Sequence, residues 1–124
     1  MTDTAATSPG IPLSPFRRAG DLVFVSGQIA LRDGVVTGAD IGEQTAITMQ
    51  NVLGVVESAG GTVASIRKVN AILTERSAFA GFNAAYAAAF PAGVAVPART
   101  TIVAGLPNPD ALVEIEAIAE VPSG

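Results

Sequence analysis

Neither histidine nor cysteine occurs anywhere in the 124 residues, and charged side chains make up only 15% of them. Without those two residue types the chain lacks the usual general base, the thiol nucleophile and the soft metal ligands, so serine-triad, thiolate and zinc mechanisms are excluded. A disulfide framework is impossible, which fits a reducing cytoplasm. Basic residues are scarce as well. Seven Lys and Arg against eleven Asp and Glu give a net charge of −4, the wrong sign for tracking a phosphate backbone, so nucleic acid is not an expected partner. The basic pairs Arg17-Arg18 and Arg67-Lys68 read as solvated strand or turn ends. No apolar run approaches the ~20 residues a membrane helix requires, and no membrane partner is expected. Met1 to Pro12 lacks the basic start and apolar stretch of a secretory leader and reads as a flexible arm. Residues 13–124 are expected to form a single domain that removes roughly two thirds of its unfolded surface from water.

What is present is an alternation of β-branched runs and helical periodicity. Phe16 to Ala19 and Asp21 to Ser26 read as a hairpin, followed by a short arm, Ile29 to Val36, with an Asp33-Gly34 turn. Asp40 and Glu43 have the spacing of a capping box. Ala46, Met49, Leu53 and Val56 then recur at helical spacing until Gly60-Gly61 stops the helix. Val69 to Leu73 reads as a buried strand. Ser77 is expected to cap a second helix carrying Phe79, Phe82, Tyr86 and Phe90, which Pro91 and Gly93 end. Thr100 to Ala104 and Leu112 to Glu120 read as two further strands joined through Leu106-Pro107-Asn108-Pro109-Asp110.

This order predicts an α+β fold in which two crossovers place both helices on one face of a mixed sheet. The other face is left bare, yet Leu22 to Val25, Ile102-Val103 and Val113 to Ile115 are apolar on both sides of the pleat. Self-association through that face is therefore expected, and a site at a subunit boundary becomes plausible. Alternation also puts Glu114 and Glu116 on one face and Val113, Ile115, Ala117 and Ala119 on the other, which is the core face. Arg99, at the mouth of the preceding strand, is in a position to reach Glu114 across a hairpin.

Charges inside such strands require an explanation, since they are rarely buried unless paired or used. One reading makes Arg99 a carboxylate clamp and Glu114 a water-orienting base. The other makes them an ion pair at an interface.

Leu22-Val23-Phe24-Val25-Ser26-Gly27-Gln28, Pro97-Ala98-Arg99-Thr100-Thr101, Leu112 to Ala119 and Phe82-Asn83-Ala84-Ala85-Tyr86 are similar to the signature blocks of the Rid family, the YjgF-like reactive-intermediate deaminases. The similarity runs from about Pro12 to Glu120. It implies a chorismate-mutase-like subunit, a homotrimer with a central barrel and three clefts between subunits. It also implies cofactor-free hydrolysis of 2-imino acids, formed from enamines such as 2-aminoacrylate, to 2-oxo acids and ammonia. By the same resemblance Arg99 binds substrate, Glu114 positions water, and Ser26, Gly27, Asn83 and Thr101 line the cleft, while Glu116 has no clear role. The chain departs from the best-studied branch at Leu13, where that branch has tyrosine, and at Thr101, where it often has cysteine. Alternatives kept beside the deaminase are a non-catalytic binder of small carboxylates, a pathway-specific deaminase of the 2-aminomuconate type, and an endoribonuclease, against which the acidic balance and missing histidine count.

Overall fold

In the computed structural model, which describes residues 10–124, the expected hairpin is β1 (Phe16–Ala19) and β2 (Leu22–Gln28), paired antiparallel so that Phe16 opposes Val25. Most of the expected arm, Met1 to Pro9, lies outside the described residues. The small ribbon β3 (Leu31–Arg32) and β4 (Val35–Val36) turns through Asp33 and Gly34 at φ 52° and 78°. Two consecutive left-handed residues match the twist of such a ribbon, and Asp-Gly tolerates them. Asn51 ties this ribbon to the first helix by donating to the carbonyls of Ile29 (2.9 Å) and Leu31 (3.0 Å).

That helix, α1 (Ile41–Ser58), starts as expected, with the Asp40 carboxylate accepting the Glu43 N–H at 2.9 Å. Glu43 reaches back one residue further than in the standard box and accepts the Ala39 N–H at 2.9 Å. Its buried stripe differs from the expected one. Thr45, Thr48, Met49, Val52, Val55 and Val56 face the sheet, whereas Ala46 is exposed and Leu53 half-buried. The two threonines carry methyl groups that pack like valine, so the polar label hid the true face. At the far end, Arg18 donates to the carbonyls of Ala59 (3.0 Å) and Val121 (2.7 Å), which satisfies one terminal helix carbonyl.

β5 (Ile66–Leu73) begins earlier than the apolar run suggested, and Arg67 within it pairs with Glu120 at 3.3 Å. The second helix, α2 (Phe79–Ala88), starts after a single 3₁₀ turn, Arg76–Ala78. Ser77 lies within that turn and makes no capping hydrogen bond, contrary to expectation, because the tighter turn already leads the chain into the helix. β6 (Ala98–Val103) and β7 (Val113–Glu120) complete the sheet.

The strand order is β1-β2-β7-β5-β6. The pairing of β6 with β5 is parallel, and β7 lies antiparallel between β2 and β5. The two helices pack together on one face over Val23, Val25, Val69, Ala71, Leu73, Val113, Ile115, Ala117 and Ala119. The expected α+β architecture is therefore the observed one. The expected neighbourhood of the last two strands is not. The β5-α2-β6 crossover fills one side of β5 with β6, so β7 takes the other side, and β6 and β7 do not form a hairpin.

Candidate functional site

Register decides where each charged side chain points. Arg99 is level with Val69, which is level with Ala117 on β7, and all three face the helices. Glu114 is level with Ile72, itself level with Ile102, and these face away from the helices. Within one chain Arg99 and Glu114 thus stand on opposite faces of the sheet with β5 between their strands, so Arg99 does not reach Glu114 as the expected hairpin implied.

On the helix face Arg99 donates to Asn83 Oδ1 at 2.8 Å. Its guanidinium carbon lies over the rings of Tyr86, Phe82 and Phe79, 4.9, 5.0 and 5.9 Å from their centroids. Among the described residues the one side-chain ion pair is Arg67–Glu120, so Arg99 has no carboxylate partner and only one of its N–H groups is engaged. A half-buried guanidinium with an open donor fork is suited to a planar anion. Thr101, two residues on, shares this face, and its hydroxyl is buried without a hydrogen-bond partner. Asn83, Arg99 and Thr101 therefore fall on one side of the sheet.

The other expected residues gather on the far side. Between Val25 and Gln28, β2 carries three residue steps against two on β7, a bulge that holds Ser26 and Gly27. Gly27 lies against the Glu114 side chain. A Cβ there would fall on Oε2 of Glu114 and 3.0 Å from its Cδ. Burial pushes the Glu114 carboxyl above its usual range, and the like charge of Glu116 adds to the effect. These side chains line a cleft of about 250 Å³ with Asn70, Ile72, Thr100 and Ile102. Glu116 accepts from Asn70 at 2.9 Å, and Lys68 donates to Thr100 at 3.0 Å. Ser26 is occupied in holding the chain before β1: its hydroxyl donates to the Ser14 carbonyl (2.5 Å) and its N–H to that of Pro15 (3.0 Å). That anchors Leu13 beside the bulge, in a groove with Phe24 and Ser26.

Two buried glutamines carry positioning roles that the sequence reading missed. Gln28 donates to the Ser26 carbonyl at 3.0 Å and so braces the bulge. Gln44 accepts the Leu112 N–H at 2.8 Å and donates to the carbonyls of Asp110 (3.1 Å) and Gly38 (3.3 Å), which fixes the entry into β7 two residues before Glu114. Gln28 continues an apolar strand run, a weak signal, whereas Gln44, between Glu43 and Thr45, gives none. The aromatic stripe of α2 was visible, but not its place beside Arg99.

A protein-family model described as endoribonuclease L-PSP matches residues 4–121. The chain belongs to this family, the Rid or YjgF-like proteins. Among Rid-family relatives it is 37% identical to the protein "mmf2, mitochondrial" of Schizosaccharomyces pombe over 120 residues, 94% of each chain. The YjgF gene product of E. coli superposes with a TM-score of 0.86 at 36% identity, covering 96% of this chain and 94% of that one. E. coli TdcF, solved with bound serine, superposes with a TM-score of 0.87 at 34% identity, covering 97% and 95%. Among the described residues no helix is long and apolar enough to cross a membrane.

Proposed function

We propose that the protein hydrolyses reactive 2-imino acids to 2-oxo acids and ammonia without a cofactor, in clefts between the subunits of a homotrimer. One observation carries the reading. The unpaired donor fork of Arg99 and the carboxylate of Glu114 stand on opposite faces of one sheet, so a site that uses both draws them from two copies of the chain. Support for assembly comes from the face away from the helices, where Leu22, Phe24 and Ile102 are each about half exposed and left for a partner to cover. The serine bound to TdcF, a small amino acid with a carboxylate, is the kind of ligand an arginine clamp holds.

In this mechanism Arg99 grips the substrate carboxylate through two parallel N–H donors, with Asn83 fixing the third side of the guanidinium. The protonated imine carbon then faces a water held by Glu114 and a backbone carbonyl near Thr101. As the water oxygen bonds to that carbon, the C=N electron pair moves to nitrogen and Glu114 accepts one water proton. Glu114 returns the proton to nitrogen. The C–N bond breaks as C=O forms, and the remaining hydroxyl proton leaves with ammonia as ammonium. Gly27 keeps the space above Glu114 clear, Ser26 fixes the rim, and proximity supplies most of the acceleration, since the iminium is already a strong electrophile.

The test is release of ammonia and 2-oxo acid from imines generated in situ by an amino-acid oxidase, with oligomeric state checked in parallel. Acceleration lost in Arg99→Ala and in Arg99→Lys at unchanged assembly is expected. Full activity in Arg99→Lys sinks the clamp. A second reading, binding of small carboxylates without turnover, is favoured by Leu13, which places an alkyl group beside the bulge. Ligand binding with no turnover across a panel of imines would select it.

A further inference from the structure

We propose that the ring of Tyr86, together with Phe82 and Phe79, holds the Arg99 guanidinium by its faces and keeps its N–H edge turned toward the ligand, which makes Tyr86 a positioning residue for the carboxylate site. The inference rests on the reading of Arg99 as the clamp. A guanidinium has two kinds of surface, π faces and an in-plane edge of donors. A protein carboxylate would consume the edge, whereas an aromatic ring attracts the cation through its π face and competes only weakly for the N–H groups. Arg99 has three rings around it, and one N–H donates to Asn83. The charge is stabilised and the donors stay available.

Tyr86 has the central part in this arrangement. Its centroid is the nearest of the three to the guanidinium carbon, at 4.9 Å. The ring is itself locked, 5.5 Å from Phe82 and 5.1 Å from Phe90 between centroids, and the residue is only 5% exposed. A ring gripped on both sides cannot rotate away when a ligand enters. Its hydroxyl is buried without a hydrogen-bond partner, so the ring is anchored by packing alone. Burial pushes the phenol up to about 12, against the opposing pull of Arg99, and the ring beside the cation therefore stays neutral. Phe82, wholly buried, contributes to the core as much as to the cage, while Phe79, 48% exposed, closes the outer side.

The experiment has a ligand arm and a ligand-free arm on the full-length protein. In the first, 2-oxobutanoate is titrated calorimetrically into wild type, Arg99→Ala, Tyr86→Phe and Tyr86→Leu, with KM, kcat and thermal midpoint recorded alongside. Tyr86→Leu is expected to weaken binding by about 3- to 30-fold, the range of a partly desolvated cation–π contact, through KM rather than kcat, with Tyr86→Phe restoring it. Wild-type affinity in Tyr86→Leu overturns the proposal. So does a Tyr86→Phe protein as weak as the leucine variant, because the hydroxyl would then be the active group. If Tyr86→Leu does not fold, Phe79→Leu takes its place, with at least a twofold weakening expected and no change overturning the cage. In the second arm, the Arg99 Nε–Hε signal, assigned by its loss in Arg99→Ala, is expected upfield of the other arginines through ring currents and to move in Tyr86→Leu. An unshifted signal overturns the cage whether or not any acid binds. Absence of 2-oxobutanoate binding in wild type with the shifted signal present would instead count against the clamp reading alone.

Discussion

Replacing Gly27 by alanine is expected to separate the proposed catalysis from folding. Gly27 does not sit in the left-handed region, so alanine adopts its backbone without strain. The three heavy atoms nearest the added methyl all belong to the side chain of Glu114: it would fall on Oε2, 3.0 Å from Cδ and 3.2 Å from Cγ. The end of a glutamate yields by rotating, at a cost of about 0.5–1.5 kcal/mol when it leaves a staggered rotamer. A stability loss of about 1 kcal/mol lowers the thermal midpoint by a few degrees in a domain of this size. The carboxylate, however, must move by about the width of a methyl group. A misplacement of about 1 Å in a group that orients a reactant costs on the order of 100-fold. Gly27→Ala is therefore expected to fold and assemble normally, to bind a 2-oxo acid through Arg99 almost as well as wild type, and to lose about 100-fold in kcat for imine hydrolysis. Ammonia release under single-turnover conditions and a melting curve give both numbers. Undiminished turnover would refute the placement of the attacking water by Glu114. A midpoint falling by tens of degrees would show instead that the bulge itself cannot accept a side chain.

Glu114 titrates above its ordinary 4.5 because it is half-buried and faces Glu116, so the acid limb of kcat/KM is expected to lie above that value and to shift to lower pH in Glu116→Gln. The folded protein holds this proton more tightly than the unfolded chain. Stability contributed by protonated Glu114 is thus present below about 4.5 and is lost as pH rises through the raised folded pKa, and urea titrations of Glu114→Gln at both ends of that window should show the pH dependence shrink. Gln44→Leu strands the Leu112 N–H and two carbonyls around the entry to β7. A loss of about 1–3 kcal/mol in urea unfolding is expected, and no loss would show that water replaces the amide. Asp40→Ala removes the acceptor for the Glu43 N–H and is expected to cost about 1 kcal/mol, with Asp40→Ser recovering most of it.

What the sequence determined by itself is local. The Asp40–Glu43 start of α1, the Asp33-Gly34 turn and the alternation that buries Val113, Ile115, Ala117 and Ala119 are visible because each depends on neighbours a few residues away. The residue types of the proposed site were legible for the same reason, as charges in apolar strands. Thr45 and Thr48 belong to the buried stripe because a methyl packs regardless of the hydroxyl beside it. Which of these charges share a face of the sheet is a matter of long-range pairing. Choosing β5 as the parallel neighbour of β6 sends β7 to the far side of β5, and strand register then turns Arg99 toward the helices and Glu114 away from them. The aromatic cage around Arg99 arises in the same way, since α2 and β6 are brought together only by the crossover. A strand's own sequence fixes which residues alternate, but the partner it pairs with fixes which side of the molecule each one faces, and that choice is made by the packing of the whole sheet.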